Sequence, residues 1–460
     1  MSIFGMAQES ADLGYENEAP MANGEETHTV ANEIAEVQNL QFEAADEDAA
    51  ADKLENEAEQ TEEVAEVLEE DVAQERALDP TAAKLLKLTF QNIVGKQYAG
   101  RTLPATESFN GSRSEAREQT RIALEGVKET LRKFWEAIKA QFKKVYNKVK
   151  DWIVKTFSAA KKLSERAKKI QDKANSTVGT IEEKSFSFGQ TKAIAVEGKY
   201  NEPGKLTTGL NDLRKVIVDT VKELKKDTVD SKIEDLVTAI KNGFSGSGSS
   251  RVTADVAGLR TAVQKTISGA TLGAITATVG DVTKYKAQFG DVADSNIEGV
   301  FGLPGSKAII AVTYTGAQDT IESAVKALKG NKLLLAADKY NPRDVAEGDV
   351  KTLTTSQIDK VCDDVIEIAE SVYTFEKNWK ENDKFVEKVQ KEVDDSIKDF
   401  DQEENADSTD QRHFRNFCNS AVGAIRRHSN FKANLCSYGV TTSNAFLNYA
   451  ERSLAQHKAK

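Results

Sequence analysis

Apolar residues recur at Leu124, Val127, Leu131, Phe134, Ile138, Phe142, Val145, Val149 and Trp152, in steps of three and four. That stripe predicts one amphipathic helix over 114–174 with near-heptad spacing. Trp135, Tyr146, Ile153 and Phe157 widen it, and no proline interrupts it. A helix of about 60 residues spans roughly 90 Å. Before it, Leu85, Leu86, Leu88, Phe90, Ile93 and Val94 mark a short amphipathic piece, and 95–104 reads as loop.

After it the pattern is mixed. Ser185–Phe188 and Ala193–Val196 read as short strands, and Leu206 to Ile240 as helix. Gly243–Ser250 reads as a flexible connector. The β-branched run Ala308–Tyr314, a helix over Gln318–Leu328 and the run Lys332–Ala337 form a strand–helix–strand unit. From 354 onward helical periodicity returns, through Ile358–Val372, Phe385–Ile397 and Phe414 onward. The predicted fold is therefore mainly α with a small α+β middle region. Four segments are expected: 1–107, 108–180, 181–352 and 353–460.

Charge changes the reading of the first segment. Of the 460 residues, 62 are basic and 74 acidic, for a net −12. Residues 1–80 hold 24 acidic side chains against Lys53 and Arg76, and few aromatics. Such composition predicts a disordered acidic tail, because too little apolar surface is available to offset chain entropy. Some transient helix is expected there, with Val64, Val67 and Leu68 on one face. Over 121–170 the balance reverses to 15 basic against 5 acidic residues. The net acidity thus hides a basic helix.

Catalytic and metal chemistry is not signalled. Cys362, Cys418 and Cys436 form no C-x-x-C pair, and His28, His413, His428 and His457 have no metal-ligand spacing. No phosphate-loop, nucleophile-elbow or dinucleotide motif occurs, and no cofactor is expected. No apolar run is long enough for a transmembrane helix, and the first residues lack signal-peptide character.

The basic helix has three readings: the solvated face of a core helix, a membrane-surface helix, or a polyanion contact. For the third, the candidate contacts are Lys133, Lys139, Lys143, Lys144, Lys148, Lys150, Lys155, Lys161 and Lys162. Lysine outnumbers arginine 12 to 3, which suits sequence-independent phosphate neutralisation rather than base reading. The aromatics sit on the apolar stripe and are expected in the core.

Glu107–Ser112, Leu124–Ala140, Lys148–Trp152 and Arg166–Ala174 together resemble the internal head proteins of phiKZ-like giant tailed phages. The resemblance is strongest over about residues 100–200. It implies a structural virion protein, made in the host cytoplasm and packaged inside the capsid with double-stranded DNA. Implied partners are that DNA, other internal head proteins, a prohead protease and the capsid or portal; contact with the host membrane belongs to the competing reading of the amphipathic helix. It also implies an acidic propeptide removed after a small-x-Glu pattern. Ala105-Thr106-Glu107 before Ser108 matches that pattern; Ala195-Val196-Glu197 before Gly198 and Ala7-Gln8-Glu9 before Ser10 match it with less support from position. Loss of 1–107 removes a net −19 and leaves 108–460 at +7. The acidic segment would then screen the basic helix until the genome arrives. Two other functions compete: a membrane-acting ejected protein, and an enzyme within 181–352.

Overall fold

The computed structural model of the chain describes residues 24–95, 103–177, 179–224, 277–278, 295–314, 321–330, 332–337, 348–380 and 408–458, with single positions at 316 and between 384 and 395. Its elements are α1 (Gly24–Ala73), α2 (Pro80–Val94), a single 3-10 turn (Thr106–Asn110), α3 (Arg113–Ser176), β1 (Ser185–Phe188), the helical turn α4 (Thr191–Ile194) and α5 (Pro203–Leu224). There follow β2 (Ala277–Thr278), β3 (Ser295–Leu303), β4 (Lys307–Tyr314), α6 (Ile321–Gly330), β5 (Lys332–Ala337), β6 (Gly348–Lys351), α7 (Thr355–Thr374) and α8 (Ser408–Leu454). The mainly helical class with long helices and small sheets holds. The chain divides into two compact units, one of 1–45, 147–398 and 420–460, the other of 46–146 and 399–419. Both α1 and α3 contribute a segment to each.

The acidic stretch departs from expectation. From Gly24 to Ala73 it is one helix of 50 residues, not unstructured chain. Its buried positions include Val30, Ile34, Val37 and Ala44 in one unit, and Asp48, Ala51, Ala58, Ala65 and Leu68 in the other. Ala44, Ala51, Ala58 and Ala65 stand seven apart, the spacing of a helix that keeps one narrow seam against a neighbour. Small seam residues let backbones approach closely. Of the three residues expected to share a face, Val64 and Leu68 are buried, whereas Val67 is 55% exposed. The expectation of disorder over 1–23, and the Glu9 match within it, lie outside the described residues.

In the second unit, the short helix α2 begins where local chemistry directs it. Asp79 accepts hydrogen bonds from the N–H groups of Thr81 and Ala82, both at 2.8 Å, and Pro80 occupies the first helical position. Leu78 N–H donates to Thr120 Oγ1 of α3 at 3.1 Å. Val64 and Leu68 of α1, Phe90 of α2, Leu103, Phe109 and Leu124 of α3 belong to one apolar cluster.

The start of α3 is also encoded locally. Ser112 N–H donates to the Glu115 carboxylate at 2.6 Å, and Glu115 N–H donates to Ser112 Oγ at 3.3 Å, a reciprocal cap. That cap leaves 105–111 outside the helix. The apolar stripe of α3 is buried as its spacing predicts, including Val127, Ile138, Phe142, Val145, Val149 and Trp152.

In the first unit, α5 packs along α7, which starts with a capping box between Thr354 and Gln357. Gly209 of α5 admits Val196, whose Cγ2 would lie 2.4 Å from any Cβ added there. A buried guanidinium joins α3 to α8: Arg166 donates to Asn444 Oδ1 at 2.9 Å, Asn448 Oδ1 at 2.8 Å and Glu451 Oε2 at 2.6 Å. Strands β1 and β6 pair antiparallel, and β2–β3–β4–β5 form a second antiparallel sheet in that order. The strand–helix–strand unit is therefore β4–α6–β5 with neighbouring antiparallel strands. The expected strand at Ala193–Val196 is instead the end of turn α4 and a single bridge between Val196 and Lys199. The chain reverses at Glu197 and Gly198 before an extended run forms. The Gly243–Ser250 connector and residues 225–240 lie outside the described residues, as does most of Phe385–Ile397.

The alanine seam makes a prediction. Ala51 is 4% exposed, so Ala51→Leu forces extra volume into a filled contact. The expected loss is about 1–3 kcal/mol in denaturant unfolding; an unchanged midpoint would show that α1 has no packed partner there.

Candidate functional site

The nine candidate lysines all lie on α3. In the unit of 46–146, Lys133 pairs with Glu129 one turn away at 3.5 Å, and Lys139 with Glu136 at 3.0 Å while lying 5.8 Å from the Trp135 ring centroid. Lys143 and Lys144 are exposed and have no ion pair among the described residues. In the other unit, Lys148, Lys155 and Lys162 each meet a carboxylate of α1: Glu43, Glu36 and Glu33 respectively, with Lys155 to Glu36 at 2.6 Å. Lys150 is engaged as well, and Lys161 is exposed without an ion pair among the described residues. The hydrogen bond and charge of Glu36 hold the Lys155 ammonium above its ordinary range.

The pairing continues within the unit of 46–146. Gln141 Nε2 donates to the Glu47 backbone carbonyl at 2.9 Å. Lys128 pairs with Glu69 at 3.2 Å, and Arg117 with Glu75 at 3.1 Å. In each unit, partner numbers rise on one helix as they fall on the other, so the two segments run antiparallel. The sequence reading has the acidic segment screen the basic helix but gives no register or residue pairs between them, and so misses this ladder. The seven-residue alanine repeat with carboxylates beside it was the available signal. Most of these pairs are solvent-exposed, so they set register and local charge more than stability.

The two described processing candidates differ in how firmly the backbone is held. Ala105 and Glu107 are exposed, Ser108 is half-buried, and Phe109 beyond it is buried. A backbone hydrogen bond from Ser108 N–H to Ala105 C=O at 2.9 Å leads into the short 3-10 turn Thr106–Asn110. Ala195 and Val196, by contrast, are buried. Val196 and Lys199 exchange two backbone hydrogen bonds at 3.0 Å, and Gly305 N–H donates to Ala195 C=O at 2.9 Å. Glu197 and Gly198 both adopt left-handed backbone, at φ 50° and 74°, and Lys205 pairs with the Glu197 carboxylate. A protease needs an extended substrate, so the 195–198 turn must break more contacts to open.

Titratable groups do not assemble a reactive centre among the described residues. Burial pushes the Cys362 thiol up to about 12, away from a nucleophilic thiolate. Burial also raises the Asp364 carboxyl to about 6 against the pull of Arg214, 2.9 Å away. No group of His, Cys, Asp and Glu among the described residues is arranged to hold a metal ion. No described helix is long and apolar enough to cross a membrane. The α3 aromatics Phe142, Trp152 and Phe157 are buried.

Against this geometry the comparison with known families is specific. The family model for phiKZ-like phage internal head proteins matches residues 33–452. No curated protein and no solved structure matches. The chain belongs to the phiKZ-like phage internal head proteins, a structural family of the phage head. The match includes α1 from Glu33 onward as well as α3.

The contrast between the two turns fixes an order of cleavage. Limited digestion of the folded chain with a glutamate-specific endopeptidase should open Glu107–Ser108 before Glu197–Gly198, giving a fragment that starts at Ser108. A fragment starting at Gly198 that precedes it in time would reverse the order.

Proposed function

We propose that this internal head protein is packaged with the double-stranded genome, contacts it without sequence preference through α3, and is processed by hydrolysis after Glu107. Its role is structural rather than catalytic. It is made in the host cytoplasm and assembled with other internal head proteins into the head. The observation that carries the reading is the state of the α3 lysines. Lys148, Lys155 and Lys162 already hold carboxylates of α1, an internal polyanion in the place phosphates would take. Lys143, Lys144 and Lys161 stay open to solvent.

The open lysines are the DNA contacts on this reading, and the covered ones join them only if α1 yields. The side-chain preference fits: flexible ammonium groups neutralise phosphate as point charges. Processing after Glu107 is supported by the exposure of Ala105 and Glu107 and by their position just ahead of the α3 cap.

Two measurements test this. In the full chain, replacing Lys143, Lys144 and Lys161 by alanine should weaken duplex binding and reduce the salt slope by about 3, at roughly 0.9 per phosphate contact. Replacing Lys148, Lys155 and Lys162 instead should change the slope little. Equal effects from the two triples would contradict the assignment. N-terminal sequencing of the protein from purified virions should yield Ser108; an uncut region around Glu107 would end the processing reading.

A further inference from the structure

We infer that hydrolysis after Glu107 does not release the acidic segment: residues 24–107 remain bound to the rest as a second, noncovalent chain. The inference rests on the processing reading above. The step itself is peptide hydrolysis. Water supplies the hydroxyl that makes the new Glu107 carboxylate and the proton that leaves Ser108 with a free ammonium group, and the prohead protease is the catalyst.

Nothing that holds α1 in place runs through the broken bond. In the unit of 46–146, Leu68 and Phe90 before the cut are fully buried in the same cluster as Phe109, Leu124 and Val127 after it. Separation would strip both sides of that cluster to water at once, and burial of such side chains is the main driving force for association. Leu78 N–H would also lose Thr120 Oγ1.

The other unit repeats the arrangement independently. Val30, Ile34 and Val37 are buried there, and Gln41 Nε2 donates to Asn434 Oδ1 at 2.9 Å. The Glu33, Glu36 and Glu43 pairs with α3 lie beside them. Cutting one exposed turn removes a tether and lowers the effective concentration of the partner, but leaves each contact intact. The acidic segment fits a docking surface on α3 that is both apolar and basic. The mature protein then meets DNA through its open lysines while α1 still covers Lys148, Lys155 and Lys162.

The test uses the full chain with a recognition sequence for a site-specific protease inserted between Pro104 and Ala105. After complete cutting, both pieces should elute together from size exclusion, at the volume of the uncut chain, in low and in molar salt. Elution of the acidic piece by itself in either condition overturns the inference. Phe90→Ala in the cut chain gives a second reading. The acidic piece should dissociate at least about tenfold faster, from the lost packing; a rate equal to that of the parent overturns it. In purified virions, a Ser108 N-terminus with peptides of 24–107 present supports retention. A Ser108 N-terminus without them overturns retention while the processing reading stands. An uncut Glu107 overturns the processing reading, and the inserted-site experiment then still decides retention.

Discussion

A helix that carries 18 acidic residues and one lysine, as α1 does, depends on what lies beside it. Alone it would be opposed by its own charge and would have little apolar surface to bury. Beside α3 both problems are met by the same contact. The α3 lysines offset part of the charge, in pairs such as Lys155 with Glu36 and Lys128 with Glu69. Ala44, Ala51, Ala58 and Ala65 are buried along the same helix. The buried Leu68 and Phe90 add the non-directional attraction that exposed ion pairs lack. The antiparallel register of α1 on α3 is the contact from which the site's charge pattern and its open and covered lysines follow.

That contact explains which parts of the chain were legible in its sequence. The α3 stripe from Leu124 to Trp152 uses large side chains at helical spacing, and each signals its face unaided. The Ala308–Tyr314 strand is equally local. The order of α1 is not local. Its α3 partners lie far along the chain, 94 residues away at Gln141–Glu47 and 129 at Lys162–Glu33, and its buried repeat is alanine, which counts as a helix former before it counts as core. Composition weighed over the segment alone therefore pointed to disorder. Ala193–Val196 misled for a related reason: its alternation resembles a strand, but two left-handed residues, Glu197 and Gly198, turn the chain first.

At the site, the sequence placed the lysines on one helix and gave no means of separating open from covered ones. That distinction needs the coordinates of Glu33, Glu36 and Glu43. The two described small-x-Glu matches were likewise equal as patterns. They differ in burial and backbone geometry, with Ala105 and Glu107 exposed around a short 3-10 turn against the buried Ala195 and Val196 and a bridged, left-handed turn at Val196–Lys199. Membership in the internal head family places both features in a protein of the phage head.

Amide hydrogen exchange on the intact chain tests the central contact most directly. If α1 is strapped along α3 as a packed helix, amides from Ile34 to Leu68 exchange slowly, with protection comparable to that of the buried stretch Val145–Ile170. Exchange of that segment at the rate of unstructured chain, while α3 remains protected, would contradict the account.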